Sequence, residues 1–125
     1  MVKLFKCNHC GKIVAVFKEC KSDCPTICCG EPMVELKPNT VEAAFEKHIP
    51  VYEVVDNVVK VTVGSIEHPM TEEHLIESII VSTNKGNQRK SLKPGDRPYA
   101  EFALLPGEKV ETVLAYCNLH GLWAK

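Results

Sequence analysis

Two things are scarce in this 125-residue chain: unbroken apolar sequence and an excess of charge of either sign. No apolar run approaches the ~20 residues needed to cross a bilayer. The opening MVKLFKCNHC lacks the apolar stretch of a secretory leader. Both point to a soluble, cytoplasmic protein with no membrane role. Formal net charge is -1. Residues 1–36 carry five Lys against four acids, and residues 37–125 ten bases against twelve acids. Neither part has the basic surplus that phosphate-backbone binding needs, so no nucleic-acid partner is expected. Large apolar residues are also sparse in the first 36 positions. A unit that small rarely folds on burial alone and draws on a metal, a disulfide or a partner.

What the chain does have is cysteine. There are seven, six of them between residues 7 and 29. An odd count without a leader favours metal thiolates over disulfides in a reducing compartment. Cys7-x2-Cys10 is a knuckle spacing that lets two sulfurs face one ion while backbone N–H groups face the thiolates. A second pair must complete four ligands, and the spacing permits either Cys28 with Cys29 or Cys20 with Cys24. Four thiolates suit iron and zinc alike. His9, between the knuckle cysteines, reads as a solvent-facing spacer.

The pattern then changes. Residues 1–36 read as a small metal-binding domain with short strands at Val2–Lys6, Lys12–Phe17 and Val34–Leu36. Residues 37–40, Lys-Pro-Asn-Thr, read as a linker, and residues 41–125 as a second domain. Thr40 is placed as the N-cap of a short helix over Val41–Lys47, stopped by Pro50. Beyond it the chain is β. Strands are expected at Val51–Val55, Val58–Val63, Leu75–Thr83, Gln88–Leu92, Tyr99–Leu104 and Val110–Tyr116. Asp56-Asn57 supplies a two-residue hairpin turn. Six or seven strands with regular turns predict a mainly β fold, an antiparallel sandwich.

Four of the five His, at 48, 68, 74 and 120, lie in this second domain, and Cys117 sits three residues before the last of them. All five residues fall at the ends of expected elements, where loops can gather. Five ligands with one thiolate do not fit a closed tetrahedral zinc site. Four imidazoles around an equator with the thiolate axial leave one position for a small substrate. A thiolate donor aids oxidation of the metal and release of product.

Cys28-Cys29-Gly30-Glu31-Pro32-Met33, Glu46-Lys47-His48-Ile49-Pro50, Gly64-Ser65-Ile66-Glu67-His68-Pro69-Met70 and Cys117-Asn118-Leu119-His120-Gly121-Leu122-Trp123 occur in this order. Together they closely resemble the desulfoferrodoxin family, the two-iron superoxide reductases. The C-terminal part alone resembles neelaredoxin, the one-iron relative. The resemblance implies a desulforedoxin-like N-terminal domain whose iron is held by Cys7, Cys10, Cys28 and Cys29. It implies an immunoglobulin-like antiparallel β-sandwich whose catalytic iron is held by His48, His68, His74, His120 and Cys117. The implied reaction is one-electron reduction of superoxide to hydrogen peroxide, a detoxification of oxidative stress. Electrons would come from rubredoxin or a similar donor, in a homodimer. Glu46 corresponds to the family's glutamate that fills the sixth position at rest, and Lys47 to its lysine near the open site. A single cation at such a mouth raises the on-rate of a small anion. Cys20 and Cys24 depart from the family pattern.

Two other functions fit parts of the sequence. An electron-transfer protein would use the four-Cys iron as its only redox centre. A zinc-ribbon adaptor joined to a β-sandwich explains Cys7-x2-Cys10 but leaves five C-terminal ligands idle.

Overall fold

The structure, a computed structural model, describes residues 2–125. The chain divides into two compact units, one running to Lys37 and one spanning Pro38–Lys125. Among the described residues no helix is long and apolar enough to cross a membrane.

In the first unit β1 (Leu4–Lys6) lies between β2 (Ile13–Ala15) and β5 (Val34–Glu35), all antiparallel. A second ribbon pairs β3 (Ile27–Cys28) with β4 (Glu31–Pro32). Its two-residue turn, Cys29-Gly30, has φ of 52° and 76°, the left-handed pair of a type I′ hairpin. The strands are shorter than the sequence suggests, and β3 and β4 were not anticipated. Leu4, Cys7 and Met33 are the buried apolar residues described in this unit, so little apolar burial supports it.

The second unit is an antiparallel sandwich of the expected immunoglobulin-like kind. One sheet has the order β10 (Tyr99–Ala103), β7 (Val58–Val63), β6 (Pro50–Val55) and the other β12 (Gly121–Ala124), β11 (Val110–Cys117), β8 (Ile76–Thr83), β9 (Gly86–Ser91). β6 (Pro50–Val55) and β7 (Val58–Val63) form the expected hairpin, with Asp56 and Asn57 at φ 51° and 61°. β7 alternates, pointing Val59, Val61 and Val63 inward, each fully buried. Ala100 and Phe102 of β10 (Tyr99–Ala103) join them. From the other sheet come Ile76, Ile79 and Val81 of β8 (Ile76–Thr83) and Val113, Ala115 and Cys117 of β11 (Val110–Cys117). β9 (Gly86–Ser91) continues the β8 hairpin at the open edge.

Two expectations need correction. The helix is one turn, α1 (Phe45–His48), not Val41–Lys47. Ala44 occupies its N-cap in an extended conformation without a capping side chain, so Thr40 is not the cap. Ile49 N–H closes the single turn by donating to the Phe45 carbonyl at 2.9 Å, and a long-range bond from Ile66 N–H to the Glu46 carbonyl at 2.9 Å ties the turn to the β7–β8 loop. The chain also ends in a strand the sequence reading missed, β12 (Gly121–Ala124), pairing Cys117 with Gly121 and Ala115 with Trp123.

Candidate metal centres

In the first unit the Cys7–Gly11 knuckle is closed by Gly11 N–H donating to the Cys7 carbonyl at 3.0 Å, with Gly11 at φ 79°. The β3–β4 turn brings up the other pair. The sulfurs of Cys7, Cys10, Cys28 and Cys29 lie within 4.8 Å of one another. Cys10 Sγ is 3.6 Å from Cys28 Sγ, which is 4.0 Å from Cys29 Sγ. The backbone N–H of Cys10, then that of His9, holds the Cys7 thiol down to about 6. The neighbouring thiols of Cys10 and Cys7 push Cys28 up to about 12, because an anion on one sulfur opposes ionisation of the next. Only a cation lets all four be thiolates together. His9 turns away to Glu31, Nε2 to Oε2 3.0 Å. Cys20 and Cys24 lie outside the group.

In the second unit four segments meet. α1 delivers His48 at its last residue, nearly fully buried. The β7–β8 loop delivers His68, whose N–H donates to the Val63 carbonyl at 2.8 Å. The same loop holds His74 in a turn in which His74 N–H donates to Thr71 Oγ1 at 3.1 Å. β11 ends at Cys117, where its register against β8 slips between Tyr116 and Cys117, an irregularity of the kind that re-aims a side chain. The turn into β12 carries His120. Asn118 ties this turn to the loop, accepting from Leu75 N–H at 3.0 Å and donating to the Glu73 carbonyl at 3.0 Å.

One donor atom from each of His48, His74, Cys117 and His120 lies within 4.8 Å of the others. His68 stands beside this group, its Nε2 3.2 Å from His48 Nε2 and its ring centroid 4.5 Å from that of His74. Cys117 Sγ is 3.9 Å from His120 Nδ1, which is 3.1 Å from His48 Nε2. All five sequence-selected side chains are thus together.

Their hydrogen bonds say what belongs between them. His48 Nδ1 faces the Ala44 carbonyl and His68 Nδ1 the Pro69 carbonyl, each at 2.7 Å. A carbonyl only accepts, so both Nδ1 atoms carry the proton and both Nε2 atoms present lone pairs. Two lone pairs 3.2 Å apart repel unless a cation lies within reach of both. His74 Nε2 is buried without any hydrogen-bond partner. Burial depresses the proton affinity of His48, His74 and His68, the last to about 4, so each is a neutral ligand at neutral pH. Burial pushes the Cys117 thiol up, which metal coordination would reverse. This donor set fits a soft-to-borderline transition ion and leaves the buried His74 Nε2 without a partner in its absence.

Glu46 and Lys47 are exposed on α1 immediately before His48. The Lys47 charge contributes to depressing His48 and His74, and Glu46 acts oppositely on His48. Gly64 allows this turn to sit where it does. A Cβ there would lie 2.6 Å from the Glu46 carbonyl oxygen.

Sequence reasoning gave no role to the groups behind the ligands. Trp123, fully buried, packs on His48 with ring centroids 4.8 Å apart and donates from Nε1 to the His120 carbonyl at 3.1 Å. Its only signal was a tryptophan next to the last histidine motif. Trp123→Phe keeps the packing and removes that bond, so it should weaken metal binding at this site by about tenfold, the scale for groups that orient ligands. Competition with a chromophoric chelator measures it.

The family model for desulfoferrodoxin matches residues 40–125. Over 123 residues the chain is 48% identical to desulfoferrodoxin of Nitratidesulfovibrio vulgaris, covering 97% of this chain and 93% of that protein. It is 44% identical to a desulfoferrodoxin homolog of Archaeoglobus fulgidus, covering 98% and 95%. Among solved structures, the superoxide reductase from Treponema pallidum superposes with a TM-score of 0.83 at 37% identity, covering 100% of this chain and 98% of that one. The one-iron superoxide reductase from Giardia intestinalis matches with a TM-score of 0.55 at 35% identity, covering 64% of this chain and 95% of that one.

Proposed function

This chain belongs to the desulfoferrodoxin family, and from that premise we propose that it is a superoxide reductase whose chemistry is done in the second unit. The observation that carries the reading is the convergence of imidazole lone pairs and one buried thiol on a single point. We assign His48, His68, His74, His120 and Cys117 to the catalytic iron. Cys7, Cys10, Cys28 and Cys29 are assigned to a second iron in a desulforedoxin-like domain, where zinc suits the same donors. Iron held by these five residues would supply the one electron that, with two protons, takes superoxide to hydrogen peroxide.

The protein's own groups prepare that event. The carbonyls of Ala44 and Pro69 fix the His48 and His68 tautomers, so the ligand atoms are presented without a proton to displace. Cys117, buried in the core, is shielded from competing solvent. Lys47 draws the anionic substrate toward the site and holds a proton donor, its ammonium, near the product oxygens. Glu46, as the family resemblance implies, would occupy the open side of the site in the resting protein and move off when substrate arrives. Both assignments follow the family resemblance, and the pair's position in the turn before His48, with both charges felt by that imidazole, supports them.

Lys47→Ala should lower the second-order rate constant with superoxide by about tenfold at low ionic strength, with the gap narrowing as salt rises. Iron content should be unchanged. Pulse radiolysis across a salt series checks this, and an unchanged rate would remove Lys47 from the mechanism. Family resemblance supports rubredoxin or a similar protein as electron donor, a homodimeric state, and a cytoplasmic role against oxidative stress.

A further inference from the structure

Two cysteines remain outside both metal groups. Cys20 and Cys24 are exposed and free. They are separated by Lys21-Ser22-Asp23, and the segment folds back on itself: Cys24 N–H donates to the Ser22 carbonyl at 2.9 Å. The Cys20 thiol donates to the same carbonyl. Ser22 Oγ is 3.2 Å from Cys24 Sγ. Both sulfurs therefore close on one residue. They line an open groove of about 660 Å³, together with Ser22, Thr26 and Met33, so a molecule as small as a peroxide reaches them freely. Among the described residues, the groups of three or more metal-binding side chains are the two already discussed. This pair therefore has two soft donors and no third, which suits redox chemistry better than metal binding.

We propose that Cys20 and Cys24 are a peroxide-oxidisable dithiol, a redox site separate from both metal centres, which closes to an intramolecular disulfide. The oxidant is hydrogen peroxide. That it is made by the same protein rests on the reductase reading above; the dithiol chemistry itself does not.

The step balances. The Cys20 sulfur attacks one peroxide oxygen. The O–O bond breaks, an S–O bond forms, and the departing oxygen takes a proton to leave as water, giving Cys20 sulfenic acid. The Cys24 sulfur then attacks the Cys20 sulfur. The S–O bond breaks, the S–S bond forms, and a second water leaves with the thiol proton. Two thiols lose two electrons and two protons, and one peroxide becomes two waters. Cys20 is the attacking member because Cys24, first through its backbone N–H and then its thiol, holds the Cys20 thiol below the usual range. Cys24, with Ser22 Oγ beside it, is the resolving partner.

The test uses the full-length, metal-loaded chain treated with one equivalent of hydrogen peroxide, alkylated, and digested with trypsin without reduction. Trypsin cuts after Lys21, so a bridge from Cys20 joins two otherwise separate peptides, and tandem mass spectrometry that fragments the second peptide between Cys24 and Cys28 shows which of its cysteines carries the bridge. The expected result is that joined pair as the dominant oxidised product, on a chain still monomeric in denaturing gels and restored by a thiol reductant. In Cys24→Ser, dimedone should label Cys20. In Cys20→Ser, Cys24 should stay unlabelled. Full alkylation of both cysteines after peroxide, or bridges running instead to Cys28, to Cys29 or between chains, would overturn the proposal. Added peroxide makes this independent of whether the second unit reduces superoxide. Loss of superoxide turnover with the disulfide still forming would count against that reading alone.

Discussion

Cys117→Ser should abolish the visible thiolate-to-iron absorption of the oxidised protein and cut superoxide consumption by on the order of a hundredfold or more, while iron remains bound by the imidazoles. The reasoning starts from position. Cys117 is fully buried, one of the core residues of the sandwich, yet its sulfur lies 3.9 Å from His120 Nδ1. A core cysteine with no partner would be a small apolar filler. This one is turned toward four imidazoles by the register slip at the end of β11. Serine is nearly isosteric, so the fold should survive, at a cost of about 1–3 kcal/mol for a poorly paired buried hydroxyl. A hydroxyl is also harder to ionise than a thiol, so the anionic donor is lost. Iron content, visible spectrum and thermal melting of the variant separate these effects. A spectrum and rate like those of the parent would mean that Cys117 is only filler.

The second large effect is a ranking. Cys7→Ser should unfold the first unit and remove its metal, yet leave superoxide consumption within a few-fold of the parent. His68→Ala should do the reverse. In the first unit few buried apolar residues stand behind the sheets, while a structural metal on four thiolates contributes on the order of 10 kcal/mol or more to folding. Serine at position 7 also deletes the thiol that the knuckle's backbone N–H groups hold down to about 6. His68 instead belongs to a unit with an extensive apolar core. Its truncation removes a lone pair from the cluster without removing a strand, so the fold holds while turnover falls by on the order of a hundredfold. Hydrogen exchange resolved by unit, with metal content and a superoxide assay on both variants, gives the ranking. If Cys7→Ser abolished turnover while His68→Ala did not, the four-Cys centre would be the seat of function and the protein an electron carrier.

Much of this was legible in the sequence because the signals were local. Asp56-Asn57 demanded a left-handed two-residue turn, and both residues have positive φ. The β-branched run of β7 alternates as its burial requires. Cysteine and histidine at element ends announced a metal. What was not legible depends on contacts between distant segments. The one-turn helix ending at His48 is tied to a distant segment, its Glu46 carbonyl bound by Ile66 and its position permitted by Gly64. β12 followed from pairing with β11, not from its own short sequence. The choice between Cys28-Cys29 and Cys20-Cys24 as the second pair could not come from spacing, because both spacings allow it. The β3–β4 turn brings Cys28 and Cys29 to the knuckle, while Cys20 and Cys24 gather at Ser22, outside that group. The carbonyls that fix the imidazole tautomers, from Ala44 and Pro69, carry no side-chain signature at all.

The most direct test of the central claim is the product balance of the iron-loaded protein given superoxide under anaerobic conditions with a reductant present. Reduction at the five-residue site yields one hydrogen peroxide for each superoxide consumed and no dioxygen. Half that peroxide, accompanied by dioxygen, would mean dismutation and would contradict the account.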